Sequence, residues 1–257
     1  MAIKIAYLGR GYSGSQYQPG LRTVVGDIYS DLESITREKD RKWFDLKVAS
    51  RTDAGVNALD NVIVFNTEFD DTFALLEALN GVSERIFYKS VTEVDKEFNP
   101  RFADLRKYTY NLSSEGVDLE RVRECIKLFA GEHNFVRFCK SYDYNRDTLL
   151  NLHISVSEGG EFITLIFCSK YFLWNIIRRV VSAIEAVGKG VRSLDDVKNA
   201  LDGRDINFGI ARPDALTLTE VQYKDVKFVS SAGRQYSRHL KEKKIINALD
   251  REFFSRL

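Results

Sequence analysis

Apolar and polar residues alternate along this chain in short blocks, and the period of each block predicts its element. Ile3, Ile5 and Tyr7 fall on alternate positions, as in a half-buried strand. Val25, Ile28, Tyr29, Leu32 and Ile35 recur at helical spacing, with Thr23 placed as an N-cap. Phe44, Leu46 and Val48 alternate again, and 62–65 reads as a short buried strand. Phe73, Leu76 and Leu79 predict a helix over 71–80, and β-formers over 86–94 predict a strand. The order is β-α-β-β-α-β.

The same order returns in the second half. Arg106, Tyr108, Tyr110 and Leu112 share one face of a strand. Leu119, Val122, Ile126 and Phe129 form a helix stripe closed by Gly131. Leu152, Ile154 and Val156 alternate, and Gly159-Gly160 turns the chain into a strand over 161–168. A stripe of Ile176, Ile177, Val180, Val181 and Ile184 follows, then a short helix over 194–201 opened by Ser193. Leu216, Leu218 and Val221 mark the last strand.

Two such units in tandem predict an α+β protein of two ferredoxin-like (βαββαβ, RRM-like) halves. Each half is expected to be an antiparallel sheet with helices on one face, and a catalytic cleft is expected between the halves. The boundary falls near 99–104, giving an N-terminal half over 1–104 and a C-terminal half over 105–257. The halves differ in one link. The second half joins its middle strands by a glycine turn, whereas the first uses a long connection over 49–61. Long connections on a compact scaffold commonly carry function.

Composition narrows the class. The chain has 257 residues, 44% hydrophobic and 29% charged, which excludes a disordered or low-complexity protein. No apolar run exceeds four residues, so no transmembrane helix is expected. Lys4 interrupts the first apolar stretch, so no signal-peptide core is expected either. Cys125, Cys139 and Cys168 are odd in number and far apart, which suggests reduced thiols in a cytoplasmic protein. They share no metal-ligand spacing with His133, His153 and His239. Net charge is +1, but residues 224–257 hold nine Lys/Arg and four Asp/Glu, against 29 and 33 elsewhere. A basic end suits an anionic partner or a solvated helix face. Leu240, Ile245, Ile246, Leu249 and Phe253 are expected to dock that helix on the body.

The long connection contains the string Ser50-Arg51-Thr52-Asp53-Ala54-Gly55-Val56. Small residues around Asp53 let the backbone approach a ligand and leave the carboxylate uncovered. A lone Asp-Ala-Gly would suit a simple Asx turn, but the whole string is more specific. SRTDAGVNAL resembles the G-R-T-D-A-G-V-H-A signature of the TruA family of tRNA pseudouridine synthases. YLGRGYSGSQYQP, EFNPRFADLRKYTY, GEHNFVRF, YFLWNIIRRVV and ARPDALTLTEVQY resemble further family motifs, in the family's order and roughly its spacing. The likeness runs to about Tyr223. Leu8, Ser15, Asn57 and Ala215 depart from the pattern and suggest a divergent, archaeal branch.

The resemblance implies a fold, a reaction and a site. Asp53 matches the catalytic Asp, Arg178 its charge partner and Tyr108 the aromatic that stacks on the uracil. Arg51 resembles the residue that fills the space left by an extruded uridine. The family acts in the tRNA anticodon stem-loop, at positions 38, 39 and 40, and as a homodimer. The reaction is an isomerisation without redox change, so no cofactor is expected. An Asp used this way must stay ionised against a base, and a nearby cation offsets the cost of burying it. Arg101, Arg106, Lys107 and Arg146 are candidate phosphate contacts. The alternative is a non-catalytic RNA-binding protein with RRM-like halves, although no RNP1-like string is present. A phosphate-handling enzyme is weaker still, because Gly9, Gly11 and Gly14 lead into no Lys-Ser/Thr or G-x-G-x-x-G pattern.

Overall fold

A computed structural model of the chain describes residues 1–140, 147–230 and 233–256. The fold is mixed α+β, and every strand pairing named below is antiparallel. Two compact units divide it. The first comprises 1–52, 58–102 and 223–257, and the second comprises 53–57 and 103–222.

The first unit holds β1 (Ala2–Tyr7), α1 (Val24–Ile35), β2 (Lys47–Val48), β3 (Asn57–Val64), α2 (Thr72–Val82) and β4 (Ile86–Thr92). Its strands run β4-β1-β3-β2. Thr23 Oγ1 caps α1 by accepting from the Gly26 N–H at 3.1 Å, as the sequence predicts. Asp71 caps α2 by accepting from Phe73 and Ala74. Alternation puts Ile3 and Ile5 in the core with Ile28 and Leu32 of α1. The α2 stripe is Leu75, Leu76 and Leu79, while Phe73 is exposed, so the buried face is rotated from the one expected.

The expected strand over 44–48 shrinks to two residues, with Phe44 fully buried in the turn before it. In compensation β3 is longer than 62–65, and it begins inside what reads as a loop. Its middle is polar: Asp60 and Asn61 are both buried. Lys4 and Lys89 reach Asp60 at 2.5 and 2.9 Å, which is what lets a carboxylate sit in a sheet. Asn61 spends its amide on the backbone around Ser50.

The second unit holds β5 (Leu105–Ser113), α3 (Leu119–Phe129), β6 (Gly131–Asn134), β7 (Leu149–Gly159), β8 (Phe162–Ser169), α4 (Ile176–Gly188), α5 (Leu194–Leu201) and β9 (Leu216–Gln222). Its strands run β9-β5-β8-β7-β6. β5 is the spine: Tyr108 lies opposite Phe167 on β8 and Leu218 on β9. Asp118 caps α3, and Ser193 with Asp196 forms a capping box on α5. The apolar stripe of α4 is buried throughout and packs against α3.

The tail belongs to the first unit, not to the 105–257 half expected from sequence. β10 (Val229–Ser230) pairs with β4, and α6 (Arg234–Phe254) packs on α2. Docking is confined to the start of α6. His239 stacks on Phe87 at 4.2 Å, Tyr236 meets the same ring edge-on, and Glu77 accepts from the Gln235 N–H. A 21-residue helix extends about 31 Å, roughly twice the length of 11-residue α2. Ile245, Ile246, Leu249 and Phe253 are therefore exposed, which corrects the expectation that they dock on the body.

Candidate active site

The connection that carries Asp53 is fastened on its upstream side by buried polar groups of the first unit. Ser15, one of the departures from the TruA pattern, is 2% exposed. Its N–H donates to the Thr52 carbonyl at 3.0 Å, and the Thr52 N–H returns a bond to Ser15 Oγ at 2.8 Å. Thr52 Oγ1 is 2.9 Å from the Tyr7 hydroxyl. Asn61 accepts from the Ser50 N–H and donates back to the Ser50 carbonyl. The string thus has a rigid root. Arg51 projects outward from it, and with the Gln16 amide oxygen turned toward it donates two bonds at 3.0 and 3.1 Å.

Residues 53–57 fold with the second unit. The Val56 N–H closes a turn onto the Asp53 carbonyl at 3.1 Å. Gly55 sits at φ +82°, and a Cβ there would lie 2.9 Å from Pro213 Cγ. Both the conformation and the close approach require glycine. Asn57 donates to the Asp214 carbonyl at 2.8 Å, so the departure from the signature His still ties the loop down.

Each oxygen of the Asp53 carboxylate faces one donor. Arg178 Nη1 is 3.4 Å from Oδ2, and the Trp174 indole N–H donates to Oδ1 at 3.1 Å. The Asp53 side chain keeps 30% of its exposure, so the carboxylate remains reachable. Arg178 is more enclosed, at 14%, and its Nε donates to the Ala211 carbonyl at 2.8 Å. The Ala211 N–H bonds back to the Arg178 carbonyl. The guanidinium is therefore held in place independently of its carboxylate. Asn175, the N-cap of α4, lies in the left-handed region at φ +63°. That bend separates Trp174 from Arg178, and both still meet Asp53.

Tyr108 is 6% exposed and packs edge-on against Phe172 at 5.0 Å, two residues before Trp174. Its neighbour Tyr110 is a core residue, with its phenol pushed up to about 12 by burial. The expected phosphate contacts separate. Arg101 is exposed on a turn closed by Asn99. Lys107 pairs with Glu220 at 3.3 Å. Arg106 is buried and donates to the Lys170 carbonyl, which ties down the end of β8 and takes it out of the exposed cations. Arg146 lies outside the described residues.

Trp174, Ala211 and Ser15 contribute to this geometry without having been marked as site residues in the sequence. Ala211 acts through its backbone and Ser15 acts on the backbone of Thr52, contacts that a residue's identity does not report. Trp174 lies inside YFLWNIIRRVV, where an aromatic next to Tyr171, Phe172 and Leu173 reads as core.

Among the described residues no group of three or more His, Cys, Asp or Glu could hold a metal ion, and no helix is long and apolar enough to cross a membrane.

Comparison with known proteins gives this site a context. A family model described as tRNA pseudouridine synthase matches residues 125–224. The tRNA pseudouridine synthase A of Pyrococcus abyssi is 36% identical over 250 residues, covering 95% of this chain and 92% of the relative. That of Thermococcus sibiricus is 37% identical over 230 residues, covering 89% and 86%. That of Methanobrevibacter smithii is 31% identical, covering 89% and 84%. A solved Cbf5-Nop10-Gar1 complex overlaps 72% of this chain and 45% of that one at 13% identity, with a TM-score of 0.37, too low to bear on the fold. Sequence relatives and family model together define an isomerase that makes pseudouridine in tRNA. The chain belongs to the TruA family of tRNA pseudouridine synthases.

Proposed function

We propose that Asp53 is the catalyst of this synthase, that it works without a cofactor, and that the uridines it converts lie at positions 38, 39 and/or 40 of the tRNA anticodon stem-loop. The observation that carries the reading is the Asp53 carboxylate, reachable from solvent and gripped at Oδ2 by an enclosed arginine.

The chemistry makes few demands. The N1–C1′ bond breaks, the uracil turns, and C5 bonds to C1′. C5 gives up a proton and N1 ends with one, so atoms balance with no oxidant or added group. One carboxylate suffices, whether it attacks C6, attacks C1′ or removes the C2′ proton. Arg178 sets a fixed positive charge beside the Asp53 carboxylate. Tyr108 stacks on the detached base and holds it during the turn. The target base must first leave its stack, and Arg51, rooted beside Thr52 and turned outward, suits the vacated space. Arg101 and Lys107 contribute phosphate contacts, as does Arg146.

The strand orders β4-β1-β3-β2 and β9-β5-β8-β7 support reading each unit as a ferredoxin-like fold. We extend the family reading to a cytoplasmic homodimer, and a strictly monomeric enzyme with full activity in light scattering would remove that part.

The test is incubation of pure protein with unmodified tRNA and no cofactor, followed by mapping of pseudouridine. Wild type should form it in the anticodon stem-loop. Asp53→Asn is nearly isosteric but has no charge, so it should bind tRNA and form no product. Turnover by Asp53→Asn would overturn the assignment.

A further inference from the structure

Two donors converge on Asp53, and only Arg178 has a place in the reading above. The other is the Trp174 indole, whose Nε1–H meets Oδ1 at 3.1 Å. We propose that Trp174 is the positioning residue of Asp53: it fixes the plane of the carboxylate and supports its charge, and Lys140 strengthens the indole as a donor from the ring face. The inference rests on the reading of Asp53 as catalyst and adds a residue which that reading does not use.

The geometry separates the two donors by task. Arg178 Nη1 takes Oδ2 and Trp174 takes Oδ1, so the carboxylate is pinned at both ends. A carboxylate held at one oxygen can still rotate about its own axis, whereas one held at both cannot. An indole suits the second task because it is rigid and only donates, so it cannot trade roles with the acid. Trp174 directly precedes α4 and Arg178 lies in its first turn, with left-handed Asn175 between them. Both donors thus come from one fixed corner of the backbone.

Lys140 completes the arrangement. Its N–H donates to the Trp174 carbonyl at 2.8 Å, and its Nζ lies 4.5 Å from the indole centroid. A cation over a ring face draws electron density from the ring and makes the N–H a better donor. A purely structural tryptophan would be buried, but this one is 40% exposed. Its exposure also makes substitution compatible with folding.

Arg178 and Lys140 are cationic. The Arg212–Asp214 pair lies on the segment that Asn57 contacts, and Arg212 holds Asp214 below the usual carboxylate range. Tyr110 is displaced upward by burial. Through its N–H on Oδ1, the Trp174 indole is placed to report the state of the Asp53 carboxylate.

The experiment reads that contact directly. The chain has two tryptophans, Trp43 and Trp174, so Trp43→Phe leaves Trp174 as the only indole. Its emission should change in a single acid titration, and the step should vanish when Asp53→Asn is added. In kinetics, Trp174→Phe keeps an aromatic ring and removes the donor. Its kcat should fall about tenfold to a hundredfold, the range for a lost hydrogen bond to a charged group. KM for tRNA should change little, and the acid limb of the kcat profile should move to higher pH. Trp174→His, which can still donate, should recover part of both effects, and Lys140→Met should show a smaller shift in the same direction. A Trp174→Phe enzyme with the wild-type acid limb overturns the inference, whatever its kcat. So does an emission step that survives Asp53→Asn. Failure of the underlying reading looks different, because Asp53→Asn would then retain turnover.

Discussion

At the scale of single residues, the site depends on groups that each have one geometry available. Arg178 makes two bonds at once, to the Ala211 carbonyl and to Asp53. A lysine has no planar fork and cannot reproduce both. Arg178→Ala should lower kcat about tenfold to a hundredfold in a pseudouridine formation assay, as expected for loss of a charged hydrogen bond. Arg178→Lys should recover only part of that loss. Near-wild-type turnover in Arg178→Ala would show that Asp53 needs no cation. Tyr108→Phe keeps its packing on Phe172 and should still bind tRNA. A large fall in its single-turnover rate would give the hydroxyl a chemical role, whereas an unchanged rate would restrict the residue to stacking. The pairing of Asp53 with Arg178 could be anticipated from the sequence because motif spacing names side chains. Ser15 and Ala211 could not, because their work is done by or on peptide groups that every residue possesses.

At the scale of elements, periodicity located most helices and strands because their buried faces are apolar. It failed where burial is polar. β3 hides its length behind Asp60 and Asn61, whose partners come from β1, β4 and the Ser50 turn and so cannot be read locally. It failed again at α6, where an apolar stripe suggested a docked face. The stripe is real, but α2 is too short to cover it. The basic side chains of α6 are exposed in the same stretch: Lys241, Lys243 and Lys244 all face solvent. Replacing the three with glutamine should weaken tRNA binding most at low salt. Each lost phosphate contact should reduce the log–log salt slope by roughly 0.7 to 0.9. Filter binding across a salt series checks this, and an unchanged slope would leave the helix without a part in RNA capture. Turnover at saturating tRNA should not change.

At the scale of the whole molecule, stability depends on pH through a buried carboxylate that the proposed chemistry does not use. Asp31 on α1 is buried and accepts from the Tyr88 hydroxyl at 2.8 Å. Burial pushes its carboxyl up to about 6 from an unfolded value of 3.8, against the smaller opposing effect of its hydrogen bonds. An acid raised on folding favours the fold while it is protonated. That stability is fully present below the unfolded value and is lost as pH rises through the folded one. The loss amounts to about 3 kcal/mol. Asp31→Asn keeps an acceptor for Tyr88 and cannot ionise. Urea titrations should show the variant gaining on wild type as pH rises from 4 to 7. Equal pH dependence in both proteins would remove Asp31 from the account.

The division of the chain also has a consequence for its synthesis. Residues 223–257 complete the first unit but are translated after the whole of the 103–222 segment. At ordinary elongation speeds that delay is about 6 to 24 seconds. Until it ends, β4 lacks its outer neighbour β10, and Phe87 lacks the rings of Tyr236 and His239. A nascent chain therefore displays an open strand edge and a bare aromatic while later parts are still being decoded. Open edges recruit other chains. The yield of native enzyme in a host should accordingly follow decoding speed across codons 103–222, with faster passage leaving less time for the exposed edge to find the wrong partner.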